Sequence, residues 1–395
     1  MTDAHRKFLY FDHAATTPVD KRVLAEMLPY FEQQFGNPSS VHRLGQAARR
    51  ALEESRERVA EAVGAHPRGV VFTSGATEAD NQAVFGAAAL RGGGVVVSGT
   101  EHPAVLNAAR RLAGEGRQVA FVAPTAYGEV PLQALRQALE EQAGNGGTAL
   151  VAVMYVNNET GVISRPGPVA ELAHEYGALF LCDAVQALGA EPLDFEESGA
   201  DFLTLSAHKV YGPKGVGALV TRPELELPPL LAGGEQERGH RPGTHGLPNI
   251  VGMAAAVENA VAELSSERRR LASLQQAFEA AALALPGVAL NAAAAERSVK
   301  HSNLRLAGVD GETVLMLLDE AGLQVSAGSA CAAGSIDPSH VLLAMGLSRD
   351  EAKASVRFSF GKLSDEETVR RAVALLAGVM ERSGALAGSF LPQQA

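Results

Sequence analysis

Lys209 stands in SAHKVYGPKG, directly after the apolar run DFLTLS (201–206). A lysine is most often a surface charge. One held in a polar loop at the end of a buried strand can lose basicity and form a Schiff base with a carbonyl. Asp183 ends another apolar run, ALFLCDA (178–184). It could cap the helix that follows; beside a pyridine nitrogen it would keep that nitrogen protonated and the ring electron-withdrawing. FTSGATEADN (72–81) joins a strand to a helix through Ser74, Gly75, Ala76 and Thr77, a turn whose free N–H groups and helix dipole suit a phosphate. Each feature has an ordinary structural reading. Carbonyl, pyridine and phosphate chemistry together point to pyridoxal 5′-phosphate. The two cysteines differ in setting: Cys182 lies inside an apolar strand and reads as core, whereas Cys331 lies in the small-residue stretch SAGSACAAGS, the composition of a loop that can present a thiolate.

The elements that must position these groups follow from periodicity. Between residues 70 and 220, runs such as VVFTSG, VVVS, VAFVA, ALVAVMYV, ALFLCDA, DFLTLS and VGALVT alternate with helical stretches. Continuous apolar strands separated by amphipathic helices predict a mainly parallel sheet covered on both faces, with its sites at the strand C-termini. After Pro248 the pattern changes to one long helix over 249–285, then strands at NLRLAGV, LQVSAG and VRFSF with helices between, and a closing helix over 365–383. The expected division is a larger domain over 16–250, and a smaller α+β domain built from 1–15 and 251–395.

Lys plus Arg total 34 against 45 Asp plus Glu, a net charge of −11. That balance argues against a nucleic-acid or anionic-membrane surface. Two cysteines cannot make a disulfide framework, and the longest apolar run, 149–156, is far short of the roughly 20 residues a membrane span needs. The opening MTDAHRKFLYFDHAATT lacks the apolar core of a signal peptide, so a cytoplasmic protein is expected.

YFDHAATTPVD, FGNPSSVH, FTSGATEADN, EHPAVL, VNNETG, DAVQALG, LSAHKVYGPKGVGAL, GGEQERGHRPGT, SAGSACAAG and VRFSFG occur in an order that resembles the class V aminotransferase family, and within it the cysteine desulfurases of iron–sulfur assembly, long-loop group. The resemblance implies the pyridoxal-phosphate transferase fold (fold type I), an α/β large domain with a seven-stranded sheet plus a smaller C-terminal domain. It implies Lys209 as the Schiff-base lysine, Asp183 as the partner of the pyridine nitrogen, and His102 as the ring-stacking imidazole that also moves protons. Gln186 and Asn158 would meet the phenolic oxygen. Ala76, Thr77, Ser206 and His208 would hold the phosphate, joined by Thr244 from a second subunit of a homodimer. Arg357 would grip the substrate carboxylate with Asn158 nearby, and Cys331 would be the nucleophile. The implied reaction converts L-cysteine to L-alanine, leaving a persulfide on Cys331 for an acceptor such as an iron–sulfur scaffold, or for tRNA thiolation. A selenocysteine lyase or another class V aminotransferase would share the cofactor site; a non-catalytic scaffold would not need Lys209, Asp183, His102 and Arg357 together. His13 stands where the motif usually has Asn, and Pro242 and Ala327 where Ser is common.

Overall fold

In the computed structural model, which describes residues 8–309, 311–327 and 337–389, a two-residue strand β1 (Leu9–Tyr10) precedes the run of strands expected from periodicity. These are β2 (Val70–Thr73), β3 (Gly94–Ser98), β4 (Val119–Val122), β5 (Thr148–Ala152), β6 (Leu179–Asp183), β7 (Phe202–Ser206) and β8 (Gly217–Thr221). They form one seven-stranded sheet in the order β2-β8-β7-β6-β5-β3-β4. Only β8 runs against its neighbours, and the other pairings are parallel. Alternate side chains of each strand enter opposite cores: Phe180, Cys182, Leu203 and Leu205 on one face, Leu179, Leu181 and Phe202 on the other. Burial on both faces is why these strands read as continuous apolar runs.

The run 149–156 is only partly strand. The sheet keeps it to Ala152, after which the chain turns through Asn157–Gly161 and Val156 pairs with Ile163. Gly161 takes a φ of 76°, and a Cβ there would lie 2.7 Å from the His301 side chain, so the turn needs glycine.

The helix expected over 249–285 spans Leu247–Ala282. It begins before Pro248 because proline is tolerated in the first turn, where its missing N–H has no intrahelical acceptor. At about 1.5 Å per residue it reaches roughly 54 Å. Ile250, Met253 and Val257 pack in the core beneath the sheet, while Leu271, Leu274 and Phe278 pack in a separate core with Phe11, Phe358 and Phe360. That second core lies against an antiparallel sheet formed by β9 (Val288–Leu290), β10 (His301–Leu306), β12 (Ser326–Ala327) and β13 (Ser355–Ser359), while β11 (Leu323–Gln324) pairs in parallel with β1. LQVSAG is therefore not one strand: its two halves serve different partners, β1 and β13, with the break at Val325. Residues 21–62, given no elements from the sequence, form the helices Lys21–Met27, Pro29–Glu32 and Arg43–Ala62, the last packed on the long helix.

Candidate active site

Parallel strands deliver their C-termini to one edge of the sheet, and the polar residues lie there. Thr77 follows β2, His102 follows β3, Asn158 follows β5, Asp183 ends β6, and Ser206, His208 and Lys209 end or follow β7. All of these, with Ala76, Gln186 and Arg357, line one cavity of about 620 Å³. Thr244 does not line it and is exposed at the surface of its own chain. Cys331 lies outside the described residues.

Lys209 Nζ donates to the carbonyls of Ala14 and Ala15 at 2.6 and 2.8 Å. Burial, then the nearby charges of Arg357 and Lys300, pull its pKa down to about 8, against the opposing pull of Asp12 and Asp183. The amine is therefore a far better nucleophile near neutral pH than an ordinary lysine. Two residues on, Tyr211 takes a left-handed φ of 66°. Its N–H donates to Thr17 Oγ1 at 2.8 Å and its hydroxyl accepts from Lys362 N–H at 2.6 Å, which fixes the loop.

Asp183 accepts the Val185 N–H at 2.9 Å. Burial raises its pKa, and His102, the Val185 N–H and Lys209 pull it back. Behind it lie two more buried acids. Asp80 accepts from Thr204 Oγ1 at 2.7 Å, and Glu101 accepts from Met154 N–H at 2.6 Å. Burial, and the proximity of Asp183, raise the pKa of both well above the usual carboxyl value. His102 caps the helix Pro103–Gly114, its Nδ1 accepting the Ala104 N–H at 3.1 Å. Burial lowers its pKa, leaving a neutral ring with the proton on Nε2.

Arg357 is 2% exposed. Its Nη1 donates to the Asn158 carbonyl at 2.7 Å and its Nη2 to Asp12 at 2.8 Å, while its buried Nε has no partner among the described residues. Asp12, Asp80, Glu101, Glu159 and His340 were not singled out from the sequence. Ser339 donates to the buried Glu159 carboxylate, which sets the next residue, His340, at the cavity wall with its Nε2 donating to the Glu101 carbonyl at 2.9 Å. Only buried polar types within apolar contexts could have flagged them.

The donor set fits pyridoxal phosphate. The helix Ala76–Leu90 begins at the cavity, and its first-turn N–H groups have no intrahelical acceptor. Gly75, at φ 156°, leaves open space around a would-be Cβ, and a side chain on Gly217 would strike Gly75 at 2.7 Å. Gln186 donates to the Ala14 carbonyl at 2.9 Å, yet its buried Oε1 has no partner among the described residues. Asp183 lines the same cavity, where a protonated ring nitrogen would pair with its carboxylate. Among the described residues no His, Cys, Asp and Glu cluster could hold a metal ion.

Fold and site together define a pyridoxal-phosphate enzyme with a parallel-sheet scaffold. The chain belongs to the class-V aminotransferase family, whose sequence pattern matches residues 9–372 and whose members depend on pyridoxal phosphate. It is 40% identical to a cysteine desulfurase, IscS 1, of Archaeoglobus fulgidus over 376 residues, 94% of this chain and 97% of the relative. It is 43% identical to a cysteine desulfurase, IscS, of an Anaeromyxobacter species, covering 93% of this chain and 91% of the relative. Among solved structures, a NifS-like protein superposes with a TM-score of 0.87 at 33% identity, covering 95% of this chain and all of that one.

Proposed function

We propose that the protein is a pyridoxal-phosphate-dependent cysteine desulfurase that removes sulfur from L-cysteine and releases L-alanine. The observation that carries this reading is Lys209, a buried amine of lowered basicity facing one cavity with Asp183, His102 and Arg357. The names of relatives at 40% and 43% identity, matched over most of their length, select the desulfurase among class-V activities.

Bound pyridoxal phosphate supplies a carbonyl for the substrate amine and an electron sink for Cα. The chain's residues do the rest. Lys209 takes and returns the Cα proton once its nitrogen is free. Asp183 holds the proton of the ring nitrogen, Gln186 and Asn158 serve the phenolic oxygen, and Ala76, Thr77, Ser206 and His208 seat the phosphate. His102 would lie against the ring, with an Nε2–H to donate. Arg357 binds the substrate carboxylate, the planar two-pronged task for which guanidinium is suited. Cys331, as thiolate, attacks the substrate sulfur: an S–S bond forms, the C–S bond breaks with its electron pair left on Cβ, where a proton completes the alanine methyl, and the sulfur stays on Cys331 as a persulfide until an acceptor thiol takes it. An iron–sulfur scaffold is the proposed acceptor, with tRNA thiolation the other destination of the same sulfur.

The protein is further proposed to act as a cytoplasmic homodimer in which Thr244 completes the partner's phosphate seat. Support comes from the exposure of Thr244 and its absence from its own chain's cavity. No helix among the described residues is long and apolar enough to cross a membrane. The division into 16–250 and 1–15 with 251–395 is supported by the two separate cores, the long helix contributing to the first as far as Val257 and to the second from Leu271.

The test is incubation with L-cysteine and a reductant, with sulfide and alanine assayed in parallel. Equal amounts of both are expected. Alanine or sulfide alone, or neither, would overturn the reading.

A further inference from the structure

Lys209 borders two cavities. Besides the large one, it lines a cavity of about 30 Å³ on the side of the long helix, and Lys300 lines that same cavity. Lys300 is 5% exposed, and its place is fixed by its carbonyl, which accepts the Phe360 N–H at 2.9 Å next to β10 and β13. A buried ammonium ordinarily has a carboxylate against it. Here both acids that border the cavity are committed elsewhere: Glu267 pairs with Arg270 at 2.6 Å, and Glu263 with Lys362 at 2.8 Å and Arg22 at 2.7 Å. Among the described residues no salt bridge reaches Lys300. His13, which also faces Lys300, is held neutral by burial, its Nδ1–H given to the Ser359 carbonyl at 3.0 Å. His301 is buried too, with neither ring nitrogen partnered among the described residues, and burial keeps it uncharged.

We propose that Lys300 is a positioning charge for Lys209, an unneutralised ammonium set behind the reactive amine so that the amine is presented uncharged to the carbonyl it attacks. This rests on the reading of Lys209 as the cofactor lysine. A like charge across a small cavity disfavours the protonated form of its neighbour. The other charges facing Lys209 come from three elements: Asp183 at the end of β6, Asp12 beyond β1, and Arg357 on β13. Arg357 is paired with Asp12 at 2.8 Å, so Asp183 and Lys300 are the opposing charges left facing Lys209; burial draws the Lys300 pKa down to about 8 against the pull of Glu267, and it keeps its charge at neutral pH. Facing Lys300 across the cavity are Glu263 and Glu267 of the long helix and Lys362, the first joined to Lys362 and the second to Arg270, and the Tyr211 hydroxyl, which burial keeps protonated. Lys300 does not line the large cavity, so it acts only through Lys209.

The experiment uses the holoenzyme loaded with pyridoxal phosphate. The visible absorbance of the bound cofactor changes with pH as the nitrogen contributed by Lys209 loses its proton. Lys300→Met should move the midpoint up by at least about half a pH unit, and Lys300→Arg, which keeps the charge, should hold it within about 0.2 units of the unchanged protein. A merely structural lysine would move neither midpoint in this charge-dependent way. If Lys300→Met does not accumulate, Lys300→Gln carries the same expectation. An unshifted midpoint in the neutral variant, with normal cofactor content, overturns the proposal. Borohydride reduction and peptide mapping run alongside separate the two ways to fail: cofactor fixed to Lys209 with no shift sinks the role of Lys300 alone, and cofactor fixed elsewhere sinks the underlying reading of Lys209.

Discussion

At the scale of single residues, Lys209 and the two cysteines make the sharpest demands. Lys209→Ala should lower sulfide release at least about a thousandfold, since it removes both covalent capture and the proton carrier. Borohydride reduction should then fix no cofactor to the chain. With its pKa drawn from 10.5 down to about 8, the free amine appears above pH 8, so recombination of cofactor-free protein with pyridoxal phosphate should speed up through pH 8 and level off beyond it. A rise continuing to pH 10 would show an ordinary lysine. Cys331→Ser should bind cofactor normally yet release almost no alanine, because a hydroxyl is a far poorer nucleophile at neutral pH. Mass spectrometry after L-cysteine treatment should find one reducible extra sulfur on the Cys331 peptide. None is expected on Cys182, a fully buried thiol that burial pushes well up in pKa and leaves unreactive.

The element most dependent on one contact is the segment after β8. Glu237 and Arg238 both take left-handed φ values, 48° and 56°, which non-glycine residues rarely adopt. Glu237 is held there by Arg56, whose two terminal nitrogens donate at 2.7 and 2.8 Å, by the Phe72 N–H at 2.8 Å and by His245 at 2.7 Å. Burial alone would raise the Glu237 pKa, but Arg56 and His245 overcome it and hold it at about 2. Arg56→Met strands a buried carboxylate and should cost about 3–5 kcal/mol in urea unfolding. The Glu237 pKa is depressed in the fold, so its contribution is present above the usual 4.5 and fades as pH falls towards 2. The gap between the two proteins should therefore narrow from pH 6 to pH 3. A gap independent of pH would mean that the cost of Arg56→Met lies in packing.

For the whole molecule, association is the property that the single chain leaves incomplete. Leu28, Phe31, Phe35 and Val41 are 51–87% exposed on the N-terminal helices and the turn after them, more apolar surface in one stretch than solvent favours. Thr244 is likewise exposed and absent from its own chain's cavity. If it completes a partner's phosphate seat, dilution to monomers should release pyridoxal phosphate in step with dissociation, followed by sedimentation and absorbance together. A cofactor-loaded, active monomer would refute the shared site.

What the sequence determined by itself is whatever short-range pattern encodes. Apolar runs broken by turns announced β2 to β8, and polar residues at the ends of those runs marked one sheet edge, because a parallel sheet gathers its strand C-termini there. Lys209, Asp183 and Thr77 were legible for that reason, each lying just past or at the end of its strand, whereas His102 came from the family resemblance of EHPAVL. Tertiary structure decided what depends on partners far away in the chain. LQVSAG has one local pattern but two destinations, β1 and β13. Arg357 meets Asp12 across 345 positions, and Arg56 meets Glu237 across 181, separations at which no periodicity survives. Nothing in its local sequence marks Lys300, and only the packing of the long helix against the small sheet seals it behind Lys209. Burial and neighbouring charge change the chemistry of a side chain, and both are properties of the folded arrangement.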